Sequence, residues 1–443
     1  MKVFVVGNGG REHAIAWKLA QSDAVEKVLC APGNGGTAFE DKCANVLLEG
    51  NDYVATAKRE GCTLAVIGPE NPLADGLADS FWKAGIPVVG PTKAAAQLEA
   101  SKDLAKEFMN KYGVACAKSR TFTDEQEALA YVEAQGAPIV IKADGLAAGK
   151  GVVVAKTLQE AKTAVCELMA GNRVGDAGRK LVIEEYLRGD EVSILAAVSV
   201  TAEYAKEGRA CIIPFESARD HKRLGDGAQG PNTGGMGAIA PVDDVSPEIW
   251  AQFKEKILKP TLDGMIAEGY DYRGFIFFGL MLTADGPKCL EYNVRLGDPE
   301  TQAVFPLMDF DFAALCNAIV TGSLASFPVA WKKGYVVAPV AVSSGYPGTY
   351  KKGFPIEVQA GQFNKTGAKL FIAGAIEDRR ADRDREKELT ALITNGGRVL
   401  ACSAYGESFD EARKKAYEAL GCVHFNGMFY RKDIGLPGAA ASN

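Results

Sequence analysis

KVFVVGNGGREHAIAWKLAQS, residues 2–22, sets the architecture of the chain. Its first six residues, KVFVVG, are an apolar, β-branched run and read as a buried strand. GNGG then turns the chain, and Ile15 and Leu19 with their flanking alanines fall at helical spacing. The same pattern recurs downstream. CTLAVIGPE (62–70) is a strand ending in Gly-Pro, PLADGLADSFWKAG (72–85) reads as one helix, and PVVG (87–90) closes a further strand. Strands alternating with helices predict a parallel sheet whose ligand edge lies beyond the strand C-termini. That first unit ends near Ala100.

Working outward, 443 residues are too many for one core. SKDLAKEFMNKYG (101–113) is a helix capped by Ser101 and opens a connecting helix and strand over 101–122. Residues 123–189 alternate helix, strand, glycine loop, strand, helix and strand, a small α+β unit that could act as a lid. Residues 190–327 are a larger, strand-rich body containing the strand pair GFIFFGLMLTADGPKCLEYNVR (274–295). A C-terminal α+β unit spans 328–435, with one clear helix in SFDEARKKAYEAL, and residues 436–443 read as a frayed tail. The fold class is thus multidomain α/β and α+β.

Bulk properties narrow the function. The chain is 47% hydrophobic and 24% charged, ordinary globular material, and its net charge of −6 argues against a nucleic-acid binder. No run approaches the ~18 apolar residues that cross a bilayer, so no membrane partner is expected. The N-terminus lacks the pattern of an export signal. Ten dispersed cysteines without a CxxC pair then read as reduced thiols in the cytoplasm. Only His13, His221 and His424 are present, with no triad pattern, which argues against a nucleophilic hydrolase. GNGGRE fails the GxGxxG spacing of a dinucleotide site.

Several stretches carry polar residues that a core would not use. In LEYNVRLGDPE (290–300), Glu291, Asn293 and Arg295 alternate and share one strand face. Two oxygen ligands suit Mg²⁺ or Mn²⁺, and Arg295 suits a transferring phosphoryl group. KADGLAAGKGV (142–152) has Lys142 at a strand end and Lys150 among glycines that could fold over a triphosphate; it is not a P-loop, since Gly151 stands where Ser or Thr is needed. LVIEEYLRGDEVSIL (181–195) supplies Glu184, Glu185, Asp190 and Glu191, and an acidic residue directly after an apolar strand could accept hydrogen bonds from adenine or ribose, with the backbone of Tyr186 and Leu187 reading the ring edge. DHKRLGDGAQGPNTGGMG (220–237) joins Lys222 and Arg223 to a glycine loop whose amides could cradle an oxyanion. GNGGREHA (7–14) and APGNGGT (31–37) are glycine turns at the sheet edge that could take an anion on helix amides. The bland alternatives are tight turns and solvated loops.

In order along the chain, these stretches, together with GPENPLADG (68–76), ASKDLAKEFM (100–109), NGGRVL (395–400) and YRKDIG (430–435), resemble the phosphoribosylamine–glycine ligase family of the ATP-grasp superfamily. The resemblance implies an N-terminal parallel-sheet domain, an ATP-grasp core with a small lid, and a C-terminal domain. It implies ATP-dependent joining of glycine to 5-phosphoribosylamine through glycyl phosphate, in purine biosynthesis, by a monomer or weak homodimer. By the same resemblance Lys102 and Lys142 meet ATP phosphates, Glu184 with Tyr186 and Leu187 reads adenine, and Glu191 reads the ribose; Lys150, read from the glycine loop itself, could balance charge on the nucleotide. Glu291 and Asn293 hold the metal, and Asp220, Lys222 and Arg295 are the candidate catalytic residues. Gly9, Gly10, Asn34 and Gly35, with Pro231, Asn232, Thr233 and Gly234, face the substrates. The chain departs from the family pattern at Ala228, Leu296, Ile372 and Ala375.

Overall fold

Val3, Phe4, Val5 and Val6 are all shielded from solvent, as a strand covered on both faces requires. Around this strand the computed structural model, which describes residues 1–146, 151–171, 175–378 and 392–440, builds a five-stranded parallel sheet. Its order is Cys43–Asn45, Lys27–Pro32, Lys2–Gly7, Leu64–Ile67 and Val88–Val89. The chain leaves the central strand in both directions, so its C-terminal end is a switch point where a crevice opens. The expected helix over 72–85 is instead two, Glu70–Asp75 and Leu77–Lys83, because Gly76 takes a φ of +92° and ends the first.

A four-stranded antiparallel sheet follows, ordered Ser119–Phe122, Leu181–Glu185, Ile139–Ala143, Val152–Ala155. Helices Glu125–Gln135 and Leu158–Met169 cover it, and Phe122, Val132, Ile141, Leu168 and Ile183 form its own core, separate from the main one. A unit with a private core can move as a body.

The largest sheet starts with the hairpin Gly286–Asn293 and Tyr272–Thr283, then runs through Asp190–Val200, Cys211–Asp220 and Gly237–Ala240. From there it passes without a break into Tyr335–Ser343, Arg398–Gly406 and Lys369–Ile372. The junction is the antiparallel pairing of Gly237–Ala240 with Tyr335–Ser343. The C-terminal residues therefore extend the central sheet, and the helix Phe409–Gly421 packs across them.

The tail is not frayed where it is described. Ala439 is buried, and its carbonyl accepts a hydrogen bond from Arg431 Nη2 at 2.6 Å. All ten cysteines are free, and among the described residues no helix is long and apolar enough to cross a membrane.

Candidate active site

Glu291 lies two residues before the end of the hairpin strand Gly286–Asn293, and four cations converge on it. Burial alone would raise its pKa, but Lys222, Lys142, Lys102 and Arg295 outweigh burial and hold it below the usual range. Among the described residues its carboxylate makes no hydrogen bond or ion pair. The strand stops at Asn293, yet Arg295 stays beside it: Arg295 Nη2 donates to Asn293 Oδ1 at 3.1 Å. The same guanidinium lies 3.0 Å from Glu99 and 3.4 Å from Glu70.

Lys102 comes from the helix Lys102–Tyr112, whose N-cap Ser101 accepts from the Leu104 amide. Its Nζ donates to the Gly145 carbonyl at 2.8 Å, so it holds the start of the glycine loop. Burial lowers its pKa although Glu291 supports the charge. Lys150 lies outside the described residues. Burial alone would lower the pKa of Lys142, but Glu184 and Glu291 outweigh it and hold the ammonium above its usual value.

Glu184 corrects one expectation. Its carboxylate is buried between Lys142, at 2.9 Å, and Lys106, at 3.3 Å, so both oxygens face ammonium groups within the protein. An adenine ring reader needs a carboxylate open to the ligand; Glu184 instead aims Lys142. Leu187 packs with Ala117, Met281 and Leu290 in an apolar cluster of its own, between the small sheet and the hairpin. An apolar patch of this kind suits the face of a flat aromatic base. Tyr186 is half-buried at its rim. Glu191 pairs with Lys222 Nζ.

The 220–237 loop is a short hairpin, Arg223–Gly225 with Gln229–Asn232, rather than an open cradle. Pro231 and Asn232 are exposed on it. The amides that follow are spent: Thr233 donates to Lys222 O, Gly234 to Tyr346 Oη, Gly235 to Thr233 Oγ1 and Met236 to His221 O. The expected oxyanion cradle is therefore not available from Thr233 to Met236. Lys222 keeps 46% of its side chain open to the cleft, and Glu191 and Glu291 raise its pKa against the crowding around it. Asp220 Oδ1 is out of solvent and has no hydrogen-bond partner among the described residues. Burial and Glu300 push its carboxyl well above the usual range.

At the edge of the parallel sheet the geometry again differs from the expectation. The Gly9 amide is taken by Glu12 Oε2 at 2.6 Å, so the turn's own side chain fills the anion position. A side chain on Gly68 would meet Glu12 Oε1 at 2.1 Å, which places this carboxylate deep in the crevice. A cavity of about 300 Å³ opens beside it, lined by Asn8, Gly9, Asn34, Asp298, Tyr346 and Arg398 among others. Gly10 does not reach it; its missing side chain makes room for Gln302. Gly35 likewise abuts Leu392. Asn34 faces the cavity, but its amide is committed to bracing, donating to Asn8 O, Gly9 O and Ile372 O. Of the departures, only Ala375 lines the cavity; Ile372 is buried in the C-terminal core.

Sequence reasoning missed Arg398, Asp298, Tyr346 and Lys106. Arg398 Nη2 lies 3.2 Å from Asp298 Oδ2, and its Nη1 donates to Asp298 O and Gly234 O. The signal for Arg398 was present in NGGRVL, but the pairing that brings it across 100 residues was not.

A carboxylate without a protein partner amid four cations fits a divalent ion shared with phosphate oxygens, with Asn293 as the second oxygen donor. Among the described residues no cluster of three or more His, Cys, Asp or Glu forms a closed cage. Mg²⁺ and Mn²⁺ do not need one when phosphates complete the shell.

A small antiparallel sheet facing a large one over such a cation cluster is the arrangement of ATP-grasp enzymes. The phosphoribosylglycinamide synthetase family models match this chain in order: the N domain over residues 1–99, the ATP-grasp (A) domain over 100–301 and the C domain over 336–437. The chain belongs to that family. The phosphoribosylamine–glycine ligase of Clostridium acetobutylicum is 47% identical over 436 residues, covering 98% of this chain and 99% of the relative. That of Escherichia coli K12 is 45% identical over 444 residues, covering 98% of each. The crystal structure of the ligase from Thermotoga maritima matches with a TM-score of 0.80 at 36% identity, over 98% of this chain and 100% of that one. The biotin carboxylase domain of Hydrogenobacter thermophilus 2-oxoglutarate carboxylase shares the fold alone, with a TM-score of 0.68 at 16% identity.

Proposed function

We propose that this enzyme ligates glycine to 5-phosphoribosylamine with ATP, giving glycinamide ribonucleotide, ADP and phosphate. The observation that carries the site is the Glu291 carboxylate, unpaired among the described residues and ringed by Lys102, Lys142, Lys222 and Arg295.

In this reading Glu291 and Asn293 hold Mg²⁺ or Mn²⁺, which when bound offsets charge on the phosphate oxygens. Lys102 and Lys142 take the phosphates of ATP, Lys142 aimed by Glu184. Glu191 faces the ribose, and the apolar patch at Leu187 with the backbone of Tyr186 takes the adenine. One carboxylate oxygen of glycine attacks the γ-phosphorus, the bond to ADP breaks, and glycyl phosphate forms. Arg295 and Lys222 stabilise the equatorial oxygens during that transfer. Asp220, whose Oδ1 lacks a partner among the described residues, accepts a hydrogen bond from the glycine ammonium, whose charge in turn favours the ionised carboxylate.

The cavity at Asn8, Gly9 and Arg398 takes phosphoribosylamine, with Arg398 toward its phosphate and Thr233 and Gly234 on the facing loop. The amine attacks the acyl carbon, phosphate departs, and the amine's surplus proton leaves with it. Docking of the small sheet over the cleft keeps water from the acyl phosphate. The free cysteines suit a reducing cytoplasm.

The test is ADP release with Mg²⁺ and ATP, given glycine alone, fresh phosphoribosylamine alone, and both. Release that requires both, with glycinamide ribonucleotide formed in step, is the expected result. Release independent of phosphoribosylamine would assign the cavity to another amine.

A further inference from the structure

The hairpin Arg223–Asn232 is too small to hold itself. Residues 229–232 are exposed throughout, and Gly227, Ala228 and Gly230 all take positive φ. A lone two-stranded hairpin is marginal in water. Yet both its ends enter the active site: Lys222 precedes it, and Thr233, bonded through N and Oγ1 to the Lys222 carbonyl, follows it. Something outside the hairpin must set its position.

That anchor is the YRKDIG stretch, some 200 residues later. The two segments exchange amides and carboxylates reciprocally. The Lys432 amide donates to Asp226 Oδ1 at 2.8 Å, and the Gly227 amide donates to Asp433 Oδ2 at 2.7 Å. Arg431 Nη1 adds a bond to Arg223 O at 3.1 Å, and the Gly435 amide donates to His221 Nε2 at 3.0 Å. Arg431 is wholly buried and grips both oxygens of Asp433, at 2.8 and 2.7 Å, which orients that carboxylate toward the hairpin. A buried guanidinium that organises a second carboxylate for a backbone amide is a costly way to fasten an exposed loop. It is intelligible if the loop's position matters to the reaction.

We infer that residues 431–435 form a positioning clip for the substrate loop, with Asp226 and Asp433 as positioning residues that keep Lys222 and Thr233 in register across the cleft. This rests on the reading that residues 220–237 face the reacting groups. Neither aspartate touches substrate; each acts through the hairpin. A displacement of about 1 Å at a reacting centre can cost about 10²-fold in rate. A clip worth one charge-assisted bond, about 1.5–3 kcal/mol, changes loop opening by about 10- to 10²-fold.

The test compares Asp226→Ala with Asp226→Asn in the full chain. Asp226 is exposed, so neither change threatens folding. Asparagine retains a carbonyl oxygen for the Lys432 amide, whereas alanine does not. Amide exchange over residues 223–232 and steady-state kcat and KM are measured on each. The expected result for Asp226→Ala is exchange faster by at least about tenfold and a kcat lower by about 10- to 10²-fold, with KM for ATP unchanged. Asp226→Asn, which keeps a neutral hydrogen bond to the Lys432 amide, should recover part of both. Unchanged kcat, unchanged exchange, or no rescue by asparagine would overturn the clip. If the wild-type chain failed to use glycine and phosphoribosylamine at all, the functional reading would fall, and the exchange comparison would decide the clip by itself.

Discussion

Arg295 Nη2 sits 3.0 Å from Glu99 Oε1, while Glu99 Oε2 accepts the Val294 amide at 2.7 Å. One buried carboxylate from the helix Lys93–Ala100 thus fixes both the backbone and the side chain just past the strand that carries Glu291. Removing one partner of a buried pair leaves the other charge uncompensated, at about 3–5 kcal/mol. Glu99→Ala should therefore lower unfolding free energy by about 3 kcal/mol and reduce kcat. Glu99→Gln keeps an acceptor for Val294 and should cost less on both counts. Urea unfolding beside steady-state kinetics checks this; equal behaviour of the two variants would show that Glu99 does not orient Arg295.

The Glu291 carboxylate makes no hydrogen bond or ion pair among the described residues, so its loss should be felt through what it binds and through the charge it lends Lys102, Lys142 and Lys222. Glu291→Gln keeps the volume and removes the charge. Disturbing outer-shell groups of a metal site costs about 10- to 10²-fold, and losing a ligand should cost at least about 10²-fold in ADP formation. The Mg²⁺ concentration for half-maximal rate should rise in parallel, and chelation of the metal should stop wild-type turnover. A normal Mg²⁺ titration in the variant would remove Glu291 from the metal site.

Much of this site was legible because its parts are local. Glu291 and Asn293 sit in one strand, Lys142 ends another, and Ser101 announces the helix that carries Lys102. The rest depends on long-range pairing. Arg398 reaches Gly234 only because Gly237–Ala240 pairs with Tyr335–Ser343, and no spacing in the chain encodes that register. Nothing in GNGGREHA by itself marks Glu12 as the residue whose carboxylate turns back to the Gly9 amide. The tail looked frayed because alanines carry no local signal, yet the buried Arg431 binds its backbone. Gly76 divided a helix that composition alone would have continued.

Ala228 takes a φ of +56° in the hairpin turn. A non-glycine residue in the left-handed region costs about 1–2 kcal/mol. Ala228→Gly should relieve most of that strain, raising unfolding free energy by about 1 kcal/mol and slowing exchange in residues 223–232. A thermal unfolding curve with no upward shift would mean that the turn stores no strain at this position.

His221 should make the fold sensitive to mild acid. Its ring is buried, Nδ1 faces the Gly237 carbonyl and Nε2 accepts the Gly435 amide, so the neutral form is the one held. Burial, with repulsion from Arg431, lowers its pKa to about 4. A folded pKa below the unfolded value of about 6.5 means that protons favour the unfolded chain. The stability tied to neutral His221 is present above about pH 6.5 and is lost as pH falls from there toward 4, by about 2 kcal/mol at pH 5. His221→Gln should show a smaller drop between pH 7 and pH 5 than the wild type. Parallel slopes would place the titration elsewhere.

Arg398 is the sole cation among the described residues lining the 300 Å³ cavity, and it is already shared between Asp298 and the Gly234 carbonyl. Two consequences separate its roles. As the group that meets a phosphate, it should set the affinity for phosphoribosylamine: a hydrogen bond to a charged group contributes about 1.5–3 kcal/mol, so Arg398→Met should raise that KM by about 10- to 10²-fold. As the pin on Gly234, it should also set kcat, because Gly234 belongs to the loop that carries Thr233. Arg398→Lys keeps the charge but cannot span Asp298 and Gly234 together. The lysine variant should therefore recover much of the KM and little of the kcat, while KM for ATP stays at the wild-type value in both. If lysine instead restored kcat and left KM high, the guanidinium would be bracing the phosphate pocket's shape, and the charge on the phosphate would have to be met by another side chain.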